Sequence, residues 1–121
     1  MAQAAADAFQ ERLVLFAVKI IDLVTCLPKT TAGRHIAGQI LRSGTSPAPN
    51  YAEARGAESR ADFVHKMQIV LKELRESRYW LKLLNRVGIS SDISLPSLLK
   101  ESDELIKIFA KSVITAKARV R

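Results

Sequence analysis

Three stretches of the chain repeat apolar residues at alternating steps of four and three. The first is Phe9, Leu13, Phe16, Ile20, Leu23 and Leu27. The second is Phe63, Met67, Val70, Leu74, Leu81 and Leu84, with Ser77 filling the remaining place. The third is Leu95, Leu99, Ser102, Ile106, Phe109, Val113 and Ala116, with Leu98, Leu105, Ile108 and Ile114 widening the face. This spacing draws one stripe along an α-helix and does not fit strand alternation. Three long amphipathic helices in a chain of 121 residues must bury their stripes against one another.

Boundary signals divide the chain into helices at about 7–27, 31–56, 60–87 and 95–117. Asp7 stands where a cap is wanted, Glu11 lies in the favourable early turns, and Pro28 stops the first helix. Residues Met1 to Ala6 are weakly patterned and should fray. Thr30 or Thr31 caps the second helix, whose core face is Ala32, Ile36, Ile40 and Ser43. Ser59 with Asp62 resembles a capping box for the third, and Gly88 closes it. Ile89 to Ile93 read as a loop. Ser94 caps the fourth helix, with Pro96 in its first turn. Arg119 to Arg121 form a basic tail. The short links make sequential neighbours antiparallel, so residues 1–121 are expected to form one domain, an all-α, up-down four-helix bundle.

The second helix carries an unusual polar stripe. At about 100° per residue, Gln39, Arg42, Ser43, Ser46, Asn50 and Glu53 fall on one face. Pro47 and Pro49 interrupt it, since each lacks a backbone N–H and Pro47 crowds the Ser43 carbonyl. The stripe is continuous only if the helix kinks near Pro47 and Pro49 rather than ends. A stripe of this kind needs partners wherever it is buried, and helix or subunit contacts are its expected role. Arg42 could pair with Glu53 or Asp62 across the bundle.

Net charge is +7, from 19 Lys and Arg against 12 Asp and Glu, so polyanions are plausible partners. Lys72, Arg75, Arg78, Lys82 and Arg86 cluster on one flank of the third helix. Asp62, Glu73 and Glu76 fall on the other. Three readings stay open: a ridge for phosphates of RNA or DNA, head-to-tail self-association through opposite flanks, and plain solvation with pairing along the helix. Tyr79 and Trp80 adjoin the ridge, and packing is favoured over stacking on bases.

No catalytic constellation emerges. His35 and His65 lie on different helices without an HxxxH or ExxH pair, so no metal and no cofactor is expected. Ser43 and Ser46 lack a nucleophile elbow or a visible base, and Gly44 and Gly56 do not form a phosphate loop. The single cysteine, Cys26, excludes a disulfide within the chain and sits in an apolar run as a small buried hydrophobe. There is no signal-peptide pattern and no run long enough for a membrane span. A cytoplasmic, non-enzymatic protein without membrane association is expected.

The residues Arg42-Ser43-Gly44-Thr45-Ser46, Asn50, Glu53, Ala57-Glu58-Ser59, Asp62-Phe63, His65-Lys66, Lys72-Glu73, Glu76 and Tyr79-Trp80-Leu81 occur in a specific order and spacing. In this the chain resembles the four-helix-bundle family of 23S rRNA-intervening-sequence proteins, closely from about Phe16 to Leu84 and by pattern elsewhere. The resemblance implies a small bacterial protein, a four-helix bundle and a homopentameric ring. Some members are encoded inside intervening sequences of 23S rRNA genes, and a related bundle family binds nucleic acid through a basic pentamer. It implies no catalytic activity. Two departures mark this chain: the family usually has at most one proline between Ser46 and Asn50, and Ala54 stands where a glycine is common, with Gly56 two places on. The first expectation is therefore an oligomeric bundle that holds RNA or DNA through its basic face. The alternative is a protein-interaction module whose charged faces serve assembly alone.

Overall fold

A computed structural model describes residues 2–88 and 94–119. Its helices are α1 (Ala2–Thr25), α2 (Thr31–Thr45), α3 (Pro47–Arg55), α4 (Arg60–Val87) and α5 (Leu95–Ala118). Helices α2 and α3 are one helix bent by 19° at residue 46, so the architecture is a four-helix bundle without strands among the described residues. α1 packs on α2, α3 and α5, while α4 packs on α2, α3 and α5. α1 and α4 therefore face each other across the bundle diagonal.

The bend has a local cause. Pro47 and Pro49 remove the N–H groups that the Ser43 and Thr45 carbonyls would accept. The chain nevertheless stays helical through Ser46, whose φ is −76° and ψ −35°. Asn50 secures the junction: its Nδ2 donates to the Ser46 carbonyl at 2.9 Å and to Ser46 Oγ at 3.0 Å. From α1, Gln10 Nε2 donates to the Ala48 carbonyl at 2.9 Å. A proline pair that would end an unsupported helix here only deflects it.

The caps of α2 and α4 follow the residue chemistry, whereas Ser94, expected to cap the last helix, has helical dihedrals and makes no side-chain cap hydrogen bond. Thr30 Oγ1 accepts from the Gly33 N–H at 3.0 Å, and Ser59 Oγ from the Asp62 N–H at 3.0 Å. Gly88 takes the left-handed conformation at φ 66° and its N–H donates to the Leu84 carbonyl. The first helix departs from expectation. It begins at Ala2, and Asp7 lies inside it, paired with Arg55 of α3 at 2.7 Å. The run of alanines before Asp7 has high helix propensity and needs no cap there. The expected loop Ile89 to Ile93 and the last two residues of the basic tail lie outside the described residues.

Leu13, Phe16, Ile20 and Leu23 of α1 meet Ile40 of α2, Val70, Leu74, Leu81 and Leu84 of α4, and Leu98, Leu105 and Phe109 of α5 in one core. Phe109 anchors one end of it, with the rings of Phe9 and Tyr51 edge-on at 6.4 and 5.2 Å. On α5 the buried stripe is Leu95, Leu98, Ser102, Leu105, Phe109, Val113 and Ala116. Leu99, Ile106 and Ile108 are half-buried flanks, and Ile114 is exposed. On α2, Gly33 rather than Ala32 faces inward. Cys26 is exposed, contrary to the sequence expectation. The helix ends at Thr25, and in the turn that follows it is Leu27 that reaches the core.

Gly44 of α2 packs directly against Ile20 of α1. A Cβ there would lie 2.7 Å from Ile20 Cγ1 and 2.8 Å from its Cγ2. The glycine lets the two backbones draw together and the isoleucine fill the space. At the neighbouring position, Ser43 is wholly buried together with Ser77 where α2 meets α4. Their hydroxyls lie 3.0 Å apart, and Ser77 Oγ is 3.0 Å from the Glu73 carbonyl oxygen. Two small hydroxyls are thus hydrogen-bonded where they are buried between the helices.

Candidate nucleic-acid interface

The ion pairs decide which of the chain's charges are engaged and which stay open on its surface. Every pair among the described residues joins two different helices. Arg12 of α1 holds Glu101 of α5 at 2.7 Å, with Glu104 at 3.8 Å. Lys66 of α4 holds Glu53 of α3 at 2.8 Å. Arg42 of α2 reaches Glu73 at 3.1 Å and Glu76 at 2.5 Å on α4. Arg78 of α4 pairs with Asp103 of α5. Glu73, Glu76 and Glu101 are thereby drawn into the seams, whereas Asp7, Glu53 and Glu104 stay more exposed than the cations they meet.

The polar stripe of the second helix is divided among these seams. Ser43 faces Ser77, Arg42 faces Glu73 and Glu76, Asn50 supports Ser46, and Glu53 faces Lys66. Gln39 is half-buried. Arg42 does not pair with Glu53 or Asp62, because about 16 Å of helix separates positions 42 and 53: Glu53 meets Lys66 near the start of α4, while Arg42 lies level with its middle. Glu76 is the hub of the central group. It accepts from Arg42 and from Trp80 Nε1 at 3.2 Å, and Arg42's hydrogen bond is the main cause holding its carboxyl below the ordinary value. The same contact raises the Arg42 guanidinium.

The acidic flank of α4 is therefore largely engaged within the chain. The basic flank is not. Lys72, Arg75, Lys82 and Arg86 are exposed and form no ion pair among the described residues. Arg78, grouped with them in the sequence, is set apart by its bond to Asp103. Across the α4–α5 seam, Lys107 joins Arg75 and Arg78 around a shallow groove of 350 Å³. Lys100 and Lys111, also exposed, share the outer face of α5 with Lys107 by their spacing. The sequence reading did not single out this second row. Lysines at 100, 107 and 111 repeat at steps of seven and four, a signal visible in the sequence itself.

The Tyr79–Trp80 pair also divides. Trp80 packs against the core from the α2–α4 seam, with the His35 ring edge-on at 6.0 Å. Tyr79 points outward, 59% exposed, beside Lys82, Leu83 and Arg86. On the opposite side of the bundle, α1 exposes Val14, Leu15, Val18 and Ile21. These residues lie directly behind the buried stripe of the same helix, so α1 is apolar on two faces.

No group of three or more His, Cys, Asp or Glu side chains could hold a metal ion among the described residues. No helix among them is long and apolar enough to cross a membrane.

The chain is thus a small four-helix bundle with a bent second helix, serine-lined at its crossing with α4 and tied to that helix by Arg42. Residues 8–111 match the family model of the 23S rRNA-intervening sequence protein, and the chain belongs to that family. A search of curated proteins finds no match. Among solved structures the chain is similar to a protein of unknown function from the S23 ribosomal protein family of Bacteroides thetaiotaomicron. The two are 36% identical with a TM-score of 0.80, over 89% of this chain and 96% of that one.

Proposed function

We propose that the chain is a non-enzymatic, cytoplasmic, self-assembling bundle that binds RNA or DNA by its phosphates. Lys72, Arg75, Lys82 and Arg86 are the contacts, with Arg78 beside them under the control of Asp103. The observation that carries this reading is the asymmetry of α4. Its acids Glu73 and Glu76 are engaged by Arg42, while Lys72, Arg75, Lys82 and Arg86 form no ion pair among the described residues. Such a row neutralises backbone phosphates without reading bases.

The uncovered apolar face of α1 supports self-association. Val14, Leu15, Val18 and Ile21 make a stripe of the width one helix presents to another. Because α1 and α4 lie across the diagonal, a contact through α1 leaves the basic row open. A ring of five copies, the assembly implied by the family resemblance, would multiply the row and raise avidity for a long polyanion. The same α1 face also favours the second reading, a structural module whose task is assembly alone.

The test is binding of structured RNA, duplex DNA and single strands by the full-length protein across a salt series, with particle mass measured alongside. An oligomer whose affinity falls log-linearly with salt is the expected result. An oligomer that binds none of these near physiological salt would overturn the phosphate reading and favour the structural one.

A further inference from the structure

Lys72, Arg75, Tyr79, Lys82 and Arg86 follow one another at steps of three, four, three and four. They form a single exposed row along α4, about 21 Å long at 1.5 Å per residue. An aromatic ring stands at its centre with two cations on either side. We propose that Tyr79 is a stacking platform for an unpaired base, so that the row takes single-stranded RNA or DNA in preference to duplex. This inference rests on the phosphate-binding reading above and adds to it the class of nucleic acid.

Two observations support it. First, the tyrosine is both open and braced. The residue is 59% exposed, yet its ring meets the Trp80 ring edge-on at 5.1 Å and 78°. Trp80 is in turn held by Glu76 at 3.2 Å, and Glu76 by Arg42 at 2.5 Å. A ring fixed in this way loses little freedom when a base lies against it. Second, its surroundings suit a nucleotide. Leu83 supplies an apolar border, and Lys82 and Arg86 stand beside the ring in a groove of 260 Å³. They are placed for the phosphates of a strand whose base stacks on the ring. A duplex keeps its base faces covered by neighbouring pairs and cannot use the ring, whereas a single strand offers them freely.

The experiment compares four probes at fixed salt on the full-length protein: single-stranded RNA, single-stranded DNA, an abasic strand and a duplex, each about twelve nucleotides long. The unaltered protein should bind the two base-bearing strands more tightly than the abasic strand or duplex. Tyr79→Ala should weaken the base-bearing strands about 5- to 100-fold and shift the other two by less than about twofold. Tyr79→Phe should restore the preference, because stacking needs the ring and not the hydroxyl. Tyr79 is exposed, so both variants should keep the helical circular dichroism of the parent. If Tyr79→Ala changes all four probes alike, or none, while binding stays salt-dependent, the stacking role is overturned and the phosphate row stands. If the unaltered protein binds none of the probes, both fall.

Discussion

Arg42 on α2 and Glu73 on α4 form an ion pair of 3.1 Å whose two ends lie in different surroundings: the carboxylate side chain is 9% exposed and the guanidinium 53%. The arginine reaches in from solvent to neutralise a charge the fold has nearly enclosed. Removing it leaves that charge without its partner, which costs more than the pair itself contributes. Arg42→Ala should lower stability by about 1–2 kcal/mol, the half-exposed guanidinium being discounted for solvent screening. Glu73→Gln in that background should recover part of the loss. Chemical denaturation of the two variants measures both, and an Arg42→Ala protein as stable as its parent would remove the pair from the forces holding α2 to α4.

Glu76 gives the same seam an acid limb. Its carboxyl is held below the ordinary value, chiefly by the hydrogen bond from Arg42. The unfolded chain therefore binds a proton more readily than the folded one. Stability from this group is fully present above the ordinary value of 4.5 and is lost as pH falls through the lower folded value. Trp80 is the only tryptophan and donates to Glu76, so its fluorescence reports the change locally. Glu76→Gln should flatten the acid dependence of stability below about pH 4.5. An unchanged acid limb would place its origin elsewhere.

Gly44→Ala opposes two effects. Alanine favours a helix by about 1 kcal/mol over glycine. The added Cβ, however, meets Ile20 Cγ1 at 2.7 Å. Overpacking of this kind costs about 1–3 kcal/mol in a tight core and should win, lowering the melting temperature. Ile20→Ala should destabilise the parent but be tolerated better in the Gly44→Ala background. A Gly44→Ala protein more stable than its parent would mean that α1 and α2 can move apart freely.

The α1 face yields a separate test of assembly. Val18→Lys with Ile21→Lys places charge on exposed positions, 48% and 45% accessible, and touches nothing in the core. The helical content should be retained while the particle mass falls towards one chain of 13.4 kDa. If the mass is unchanged, assembly uses another surface.

The four-three repeat carried the bundle, and the residue chemistry carried most boundaries: α4 starts after Ser59 and ends before Gly88 as those residues require. What the repeat could not decide was which of two adjacent apolar positions faces inward. Leu98 and Leu105 took the core of α5 ahead of Leu99 and Ile106. Partners across seams were likewise hidden. Arg42 has Glu53 near it in sequence, yet the length of helix between them and the register of α4 present Glu73 and Glu76 instead. The basic flank of α4 was legible as a charge pattern. Its separation into an open row and an Arg78 tied to α5 was not, because Asp103 lies on another helix. Tyr79 and Trp80 differ by one residue, about 100° of helix, and that rotation divides a surface ring from a packed one.

The central claim is that the α4 row binds phosphates, and the slope of log affinity against log salt tests it most directly. Each phosphate contact contributes about 0.7 to 0.9 to the slope. The variant Arg75→Gln, Lys82→Gln, Arg86→Gln leaves Arg78 and its bond to Asp103 intact and alters only exposed side chains. Its binding to a single-stranded probe should be weaker and its slope smaller by about 2 to 3 per chain engaged, with particle mass and helicity unchanged. A slope and affinity equal to the parent's would contradict the claim and move the contacts off α4.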